Sequence, residues 1–133
     1  MPYLNAMEKK FCTVINCIDG RIQIPVIEYL QQRFNALYVD SITVPAPNLI
    51  LAEQKDKLVI EQIMDRISIS IDIHNSVGMS IVAHHDCARN PSPRVQQLIH
   101  LEKSLNFLTS RFELPVIALW VDENWQVHEI NFN

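Results

Sequence analysis

Two short stretches of the chain concentrate side chains that can do chemistry. Cys17-Ile18-Asp19-Gly20-Arg21 places a thiol, a carboxylate and a guanidinium within five residues, and it uses one of the chain's two glycines. His84-His85-Asp86-Cys87 adds two imidazoles, a carboxylate and a second thiol. Two thiolates with one imidazole form a known ligand set for catalytic zinc, in which three protein ligands leave a fourth position open. Cys17, His84 and Cys87 supply that set: His-x-x-Cys brings two ligands from one turn, and the fold must bring the third. Zinc held in this way lowers the pKa of its water to ~7, giving a hydroxide nucleophile near neutral pH, and two thiolates make the effect weaker than neutral ligands would.

Asp19 lies two residues from a thiolate ligand, where a bare carboxylate meets like-charge repulsion. Arg21 is the natural partner to keep it ionised and oriented. So held, Asp19 can accept a hydrogen bond from the metal's water; swung inward, it can instead fill the fourth position and block the site. Each piece alone also has an ordinary reading. A cysteine at a strand end is commonly a small buried hydrophobe, and Asp-Gly is a common turn dipeptide. The combination favours a metal site, because the two stretches follow two strands that read as parts of one sheet.

The elements that must position these residues are readable from hydrophobic period. Phe11–Asn16 is β-branched and nearly continuous in apolar character, as suits a strand covered on both faces, and it delivers Cys17 at its carboxyl end. After the turn, Pro25 fits a first helical turn, with Val26, Ile27, Leu30 and Phe34 following at helical spacing. Leu37–Val44 reads as a second strand ended by Pro45 and Pro47, with Pro-Ala-Pro as loop. From Gln54 a helix is expected through Ile60, Ile63, Met64, Ile67 and Ile71. Residues 67–73 also alternate as a strand would, yet the helical stripe is unbroken and no Gly, Pro or Asn ends it near Arg66.

Asn75–Gly78 supplies the stop, and Met79–Ala83 forms a third strand leading to His84. Ser92 and Pro93 are expected to cap and begin a helix carrying Val95, Leu98, Leu101, Leu105 and Leu108. Val116–Val121, a turn at 122–124, and Trp125–Ile130 close the chain as a strand pair. Strands alternating with helices predict one α/β domain over residues 1–133, with a central, mostly parallel sheet flanked by helices. Ligands of such sheets bind beyond the carboxyl ends of the strands, where Cys17 and His84 both fall.

The remaining candidates carry less. Cys12 is an odd number of positions from Cys17, so it is expected on the opposite strand face, in the core. His85 and Asp86 face solvent or support the ligands, with a proton-shuttling His85 as the minority reading. His74, His100 and His128 show no acidic or cysteine partner nearby in sequence and are read as structural, and Trp120 and Trp125 as packing residues.

Composition bounds the function. The chain has 133 residues, 48% apolar and 20% charged, with a net charge of −4. No Lys/Arg cluster falls on an expected helix, so nucleic acid is a poor candidate partner. No apolar run spans a bilayer, Met1–Lys10 lacks a signal-peptide h-region, and three irregularly spaced cysteines do not form a disulfide framework. A cytoplasmic protein is expected.

With these residues in place, the chain resembles the β-class carbonic anhydrases, whose pattern is Cys-x-Asp-x-Arg and later His-x-x-Cys. The order of elements resembles that family from Phe11 to Ile130. The resemblance implies that Cys17, His84 and Cys87 bind Zn2+, that Asp19 and Arg21 form a catalytic dyad, and that the reaction is reversible hydration of CO2 to bicarbonate. It also implies a homodimer or dimer-based oligomer with the site near the subunit interface. Gly20 stands where the family usually has Ser or Ala, Ala88 where Gly is common, and Thr43–Pro47 where an Arg-Asn-Ala-Gly run is frequent. At this length the chain is expected to lack the family's long amino-terminal arm and carboxyl-terminal helix. Two other functions compete: a zinc hydrolase of a CO2-like small molecule, and a non-catalytic metal-binding relative acting as a regulatory partner, the latter motivated by the altered loop.

Overall fold

The computed structural model describes residues 7–133. Residues 1–6, which include most of the Met1–Lys10 stretch considered above, lie outside the described residues. The elements run β1 (Glu8–Asn16), α1 (Gly20–Phe34), β2 (Ala36–Thr43), α2 (Pro47–Glu53), α3 (Lys57–Asp72), β3 (Met79–His84), α4 (Arg94–Arg111), β4 (Val116–Val121) and β5 (Val127–Ile130). They build the expected α/β domain. The sheet order is β2-β1-β3-β4-β5, with β2, β1, β3 and β4 parallel and β5 antiparallel to β4.

That order fixes where a ligand can sit. From β1 the chain crosses outward to β2, and from β3 it crosses outward to β4 on the other side, so the crossovers part between β1 and β3 and leave a crevice at their carboxyl ends. Ile15 of β1 is paired with Ile81 of β3. Cys17 lies two residues past one and His84 three past the other, so both emerge at the same edge.

Alternation divides the core. Cys12 and Val14 of β1, Val82 of β3, and Ile117, Leu119 and Val121 of β4 pack toward α1, whose Ile22, Val26 and Leu30 are fully buried. Ile15, Ile81, Ala83 and Ala118 face the other side with Leu51 of α2, Ile60, Ile63 and Ile67 of α3, and Leu101 and Leu108 of α4. Each fully buried side chain of this size stabilises the fold by ~1.5–3 kcal/mol relative to exposure. Ile67 of α3 is 0% exposed, whereas Ile69 and the capping residue Ile73 are 51% and 69% exposed. A strand would place all three on one face, so the helical period governs this segment.

Several boundaries differ from expectation for identifiable reasons. The Asp19 carboxylate accepts the Arg21 backbone N–H at 2.9 Å, which starts α1 at Gly20 and leaves Pro25 in its second turn rather than its first. Pro25 donates nothing there, so the Arg21 carbonyl loses its helical partner. The Pro-Ala-Pro segment is not all loop: Pro47 opens α2, entered through Ala46 at φ 49°. Asp56 caps α3 by accepting from Val59 N–H, so that helix begins at Lys57 and not Gln54. Pro93, not Ser92, occupies the cap of α4, with no side-chain cap bond. The last strand starts at Val127, because Asp122 accepts the N–H groups of Asn124 and Gln126 and holds the turn through Trp125. Cys12 is core, and burial aided by Asp40 pushes its thiol up to about 12. It shares a packing cluster with Cys17, however, because β1 ends at Asn16 and the strand alternation stops before Cys17.

The two glycines differ in kind. Neither has positive φ. Gly20 is helical, and an added Cβ would meet nothing within 4 Å, so its rarity reflects no conformational demand. A Cβ on Gly78 would overlap the Phe34 ring, which packs against the residue as the chain enters β3. Gly20→Ala is therefore expected to raise stability by ~0.4–1 kcal/mol, and Gly78→Ala to lower it by ~1–3 kcal/mol, both read from denaturant midpoints. A second test concerns Glu129 on β5, which accepts from Tyr29 Oη and Arg33 Nε of α1 at 2.8 Å each. Arg33, and then Tyr29, outweigh burial and hold the Glu129 carboxyl below its usual value. A depressed pKa contributes stability above the unfolded-state value and loses it as pH falls through the folded one. The stability gap between the protein and Glu129→Gln should thus be full at neutral pH and narrow steadily below about pH 4.

Candidate metal centre

The turn after β1 is built by its neighbours. The buried Asn16 side chain accepts the Cys17 N–H at 3.0 Å and donates to Gln23 Oε1 at 3.3 Å. Gln23, in the first turn of α1, donates to the carbonyls of Cys17 at 2.7 Å and Asp19 at 2.8 Å. Cys17 is thereby held facing the crevice. Across from it, β3 ends on His84, and Asp86 at φ 57° turns the chain so that Cys87 points inward.

The three residues converge. One ligand atom each from Cys17, His84 and Cys87 lies within 4.8 Å of the others, and the residues are only 5%, 1% and 3% exposed. Zinc bonds of ~2.3 Å to sulfur and ~2.0 Å to nitrogen place tetrahedral ligand atoms roughly 3.5–3.8 Å apart, so a small contraction closes the set on an ion. His84 Nδ1 lies 2.7 Å from the His85 carbonyl and donates to it. That bond fixes the tautomer, and the buried Nε2 is left with no hydrogen-bond partner. An unpartnered buried nitrogen beside two buried sulfurs is the donor set of a soft or borderline cation.

The electrostatics agree. The Cys87 thiol, then the His84 imidazole and the backbone of Ala46 and Asp19, outweigh burial and hold the Cys17 thiol below its usual value. Cys87 moves up, because the Cys17 thiolate beside it and its own burial both favour its proton. Burial works against a charged His84, yet Cys17, the His85 carbonyl and Asp19 outweigh it and raise its pKa. Metal binding requires both thiols as thiolates, so a divalent cation held here would release protons as it binds.

Asp19 and Arg21 form the pair the sequence suggests. Asp19 Oδ1 accepts from Arg21 Nε at 3.1 Å and Oδ2 from Nη2 at 2.7 Å. The guanidinium bonds, against some desolvation, bring the Asp19 carboxyl down to about 2, so it is ionised throughout the neutral range. Sequence reasoning missed what holds the arginine. Arg21 Nη1 donates to Asp86 Oδ2 and Nη2 to the Asp86 carbonyl, each at 3.1 Å, and its guanidinium carbon lies 4.4 Å from the Trp125 ring centre. Asp86 was readable as one more polar residue between ligands, and Trp125 as a packing residue. Only the fold shows that both meet Arg21.

The other histidines stay outside the centre, but two have acidic partners that local sequence did not reveal. His74 Nδ1 lies 2.6 Å from Asp40, and His128 Nε2 lies 2.6 Å from Asp122. His100 meets Asn90 and Gln96. His85 is exposed, its ring 6.4 Å from that of Trp125. Trp120 is buried on the α2–α4 side of the sheet. A cavity of about 360 Å³ is lined by Val44, Ala46, Ile50, Glu53, Asp56 and Arg89 among others, and none of Cys17, His84 and Cys87 lines it.

Comparison with known proteins gives the family. Among curated proteins none matches the sequence. The fold is similar to a structure from a study of two tetrameric β-carbonic anhydrases of Sordaria macrospora, at 12% identity and TM-score 0.65 over 98% of this chain and 85% of that one. It is similar also to the β-carbonic anhydrase CafA of Aspergillus fumigatus, at 15% identity and TM-score 0.63 over 98% and 79% of the two chains. A carbonic anhydrase of Streptococcus mutans matches at 12% identity and TM-score 0.60, over 94% and 83%. Identities this low carry the fold alone. The fold is that of the β-carbonic anhydrases; a family model described as "Putative carbonic anhydrase" matches residues 7–131, nearly the whole chain, and the chain therefore belongs to the carbonic anhydrase family.

Proposed function

We propose that the chain is a zinc-dependent carbonic anhydrase that interconverts CO2 and bicarbonate, with Cys17, His84 and Cys87 as the metal ligands and Asp19 and Arg21 as the catalytic dyad. The observation that carries this reading is the convergence of three buried, mutually close ligand atoms, one of them the unpartnered His84 Nε2, beside a carboxylate locked by an arginine. Zinc bound there supplies the Lewis acidity that makes water a nucleophile near neutral pH.

The chain's own residues do the rest. Cys17 and Cys87 give two negative charges to a buried site, and the Nδ1–H bond to the His85 carbonyl aims the His84 lone pair. Asp19 cannot act as an acid at neutral pH, because its carboxyl is ionised. Its Oδ2 takes a single bond from Arg21 and keeps an acceptor site, with which it would accept a hydrogen bond from the reacting water and so orient that water's lone pair toward CO2. Asp86 and Trp125 hold the guanidinium from its far side, which keeps Asp19 on Arg21 and away from the metal's open position.

We propose a cytoplasmic location, in keeping with three free, buried cysteines, which a reducing compartment preserves. We also propose a homodimer or dimer-based oligomer, in keeping with the tetrameric assemblies described for the Sordaria macrospora enzymes.

Purified protein should carry about one zinc per chain and accelerate the pH change when CO2 meets buffer in a stopped-flow mixer. Asp19→Ala should keep its zinc and lose roughly 10²-fold or more of that rate. Zinc without any rate above buffer, from neutral to alkaline pH, would contradict the enzyme and leave a metal-binding relative; turnover of a sulfur analogue of CO2 but not of CO2 would instead identify the hydrolase.

A further inference from the structure

Gln97 has no part in the sequence motifs, yet it joins both ends of the loop that carries His84 and Cys87 to the start of α2. We infer that Gln97 is a positioning residue for that centre: it clamps the two ends of the 84–90 loop so that His84 and Cys87 close on the ion held by Cys17. The inference rests on the reading of these three residues as metal ligands.

Gln97 lies in the first turn of α4 and is 1% exposed. Its Nε2 donates to the His84 carbonyl at 2.8 Å and to the Asn90 carbonyl at 3.0 Å, the first and last residues of the loop that contains Cys87. Its Oε1 accepts from Asn48 Nδ2 at 3.2 Å and from Asn90 Nδ2 at 3.5 Å. An amide has two donor hydrogens and two acceptor lone pairs, and all four are used. Gln97 therefore has nothing left for a ligand of its own. Its role is geometric.

The positions it joins make that role specific to the centre. His84 is a proposed ligand, and Asn90 pairs across the loop with Cys87 in an isolated bridge. Asn48 stands two residues after Ala46, which is buried in the same packed cluster as Cys17 and Cys87. One side chain thus ties the loop that carries two of the ligands to the helix that follows Ala46. Asn48 and Asn90 are each 1% exposed, so water does not replace the bonds when the amide is removed. A buried hydrogen-bond donor fixed to a ligand's backbone orients that ligand as partners of metal-bound histidines do, and loss of such partners typically costs ~10–100-fold in metal affinity.

The test uses Co2+ as a spectroscopic probe, with affinity measured by competition against a chromophoric chelator. The protein should bind one Co2+ with sulfur-to-metal charge transfer and tetrahedral d–d bands. Gln97→Met, close in volume but unable to donate, should bind ~10–100-fold more weakly with shifted d–d bands. Gln97→Asn keeps an amide on a shorter stem; it should fall between the two and serves the comparison if Gln97→Met does not fold. Gly78→Ala, destabilised at a distance from the centre, should keep the parent affinity and spectrum. Unchanged cobalt affinity and spectrum in both Gln97 variants would overturn the inference alone, as would an equal loss in Gly78→Ala. A parent protein that takes up no cobalt would overturn the metal reading, and this inference with it.

Discussion

Two sulfurs and an imidazole nitrogen, buried and close together, set the terms for the rest of this structure. The chain by itself satisfies them only in part: the nearness of Cys17 and Cys87 lowers the pKa of one thiol and raises that of the other, and His84 Nε2 has no hydrogen-bond partner. Such an arrangement is costly to build, because burial opposes each charged form. It is reached because the sheet order parts between β1 and β3 at the edge where Cys17 and His84 emerge, with α1 closing one face and α2, α3 and α4 the other. Parallel strands buried on both faces supply the rigidity to hold three polar groups where solvent cannot reach them.

Around this centre the backbone is held in conformations that most residues avoid. Ala46, Asp86 and Trp125 all have positive φ, and each borders the site: Ala46 beside the Cys17 sulfur, Asp86 against Arg21, Trp125 beneath the same guanidinium. Non-glycine residues in this region cost of order 1–3 kcal/mol each and persist where surrounding contacts over-determine them. Glycine is not the device used here. Gly20, the residue that draws the eye in Cys17–Arg21, lies in ordinary helix with open space around it, and the turn is made by Asp19 capping α1 and Gln23 gripping the turn's carbonyls.

The sequence was most legible where chemistry and period are local. β-branched runs marked β1 and β3, the unbroken stripe through Ile60, Ile63 and Ile67 marked α3 against a competing strand alternation, and the two motifs fell at strand ends where an α/β sheet binds ligands. What stayed hidden depends on partners distant in the chain. Asp86 meets Arg21 across 65 positions, His74 meets Asp40 across 34, and Gln97 meets Asn48 across 49. A glutamine in a helix carries no local mark of such a role. The Pro-Ala-Pro segment misled for a different reason: proline ends a strand but also opens a helix, and the buried Leu51 that anchors α2 cannot be distinguished by spacing in so short an element.

The account stands on Cys17, His84 and Cys87 holding one metal ion together. X-ray absorption at the zinc K-edge of the purified protein reads the ligand atoms directly. Two sulfurs at ~2.3 Å and imidazole nitrogen at ~2.0 Å around a four-coordinate ion are predicted. Zinc surrounded by oxygen and nitrogen alone, or a protein that holds no zinc, would contradict it.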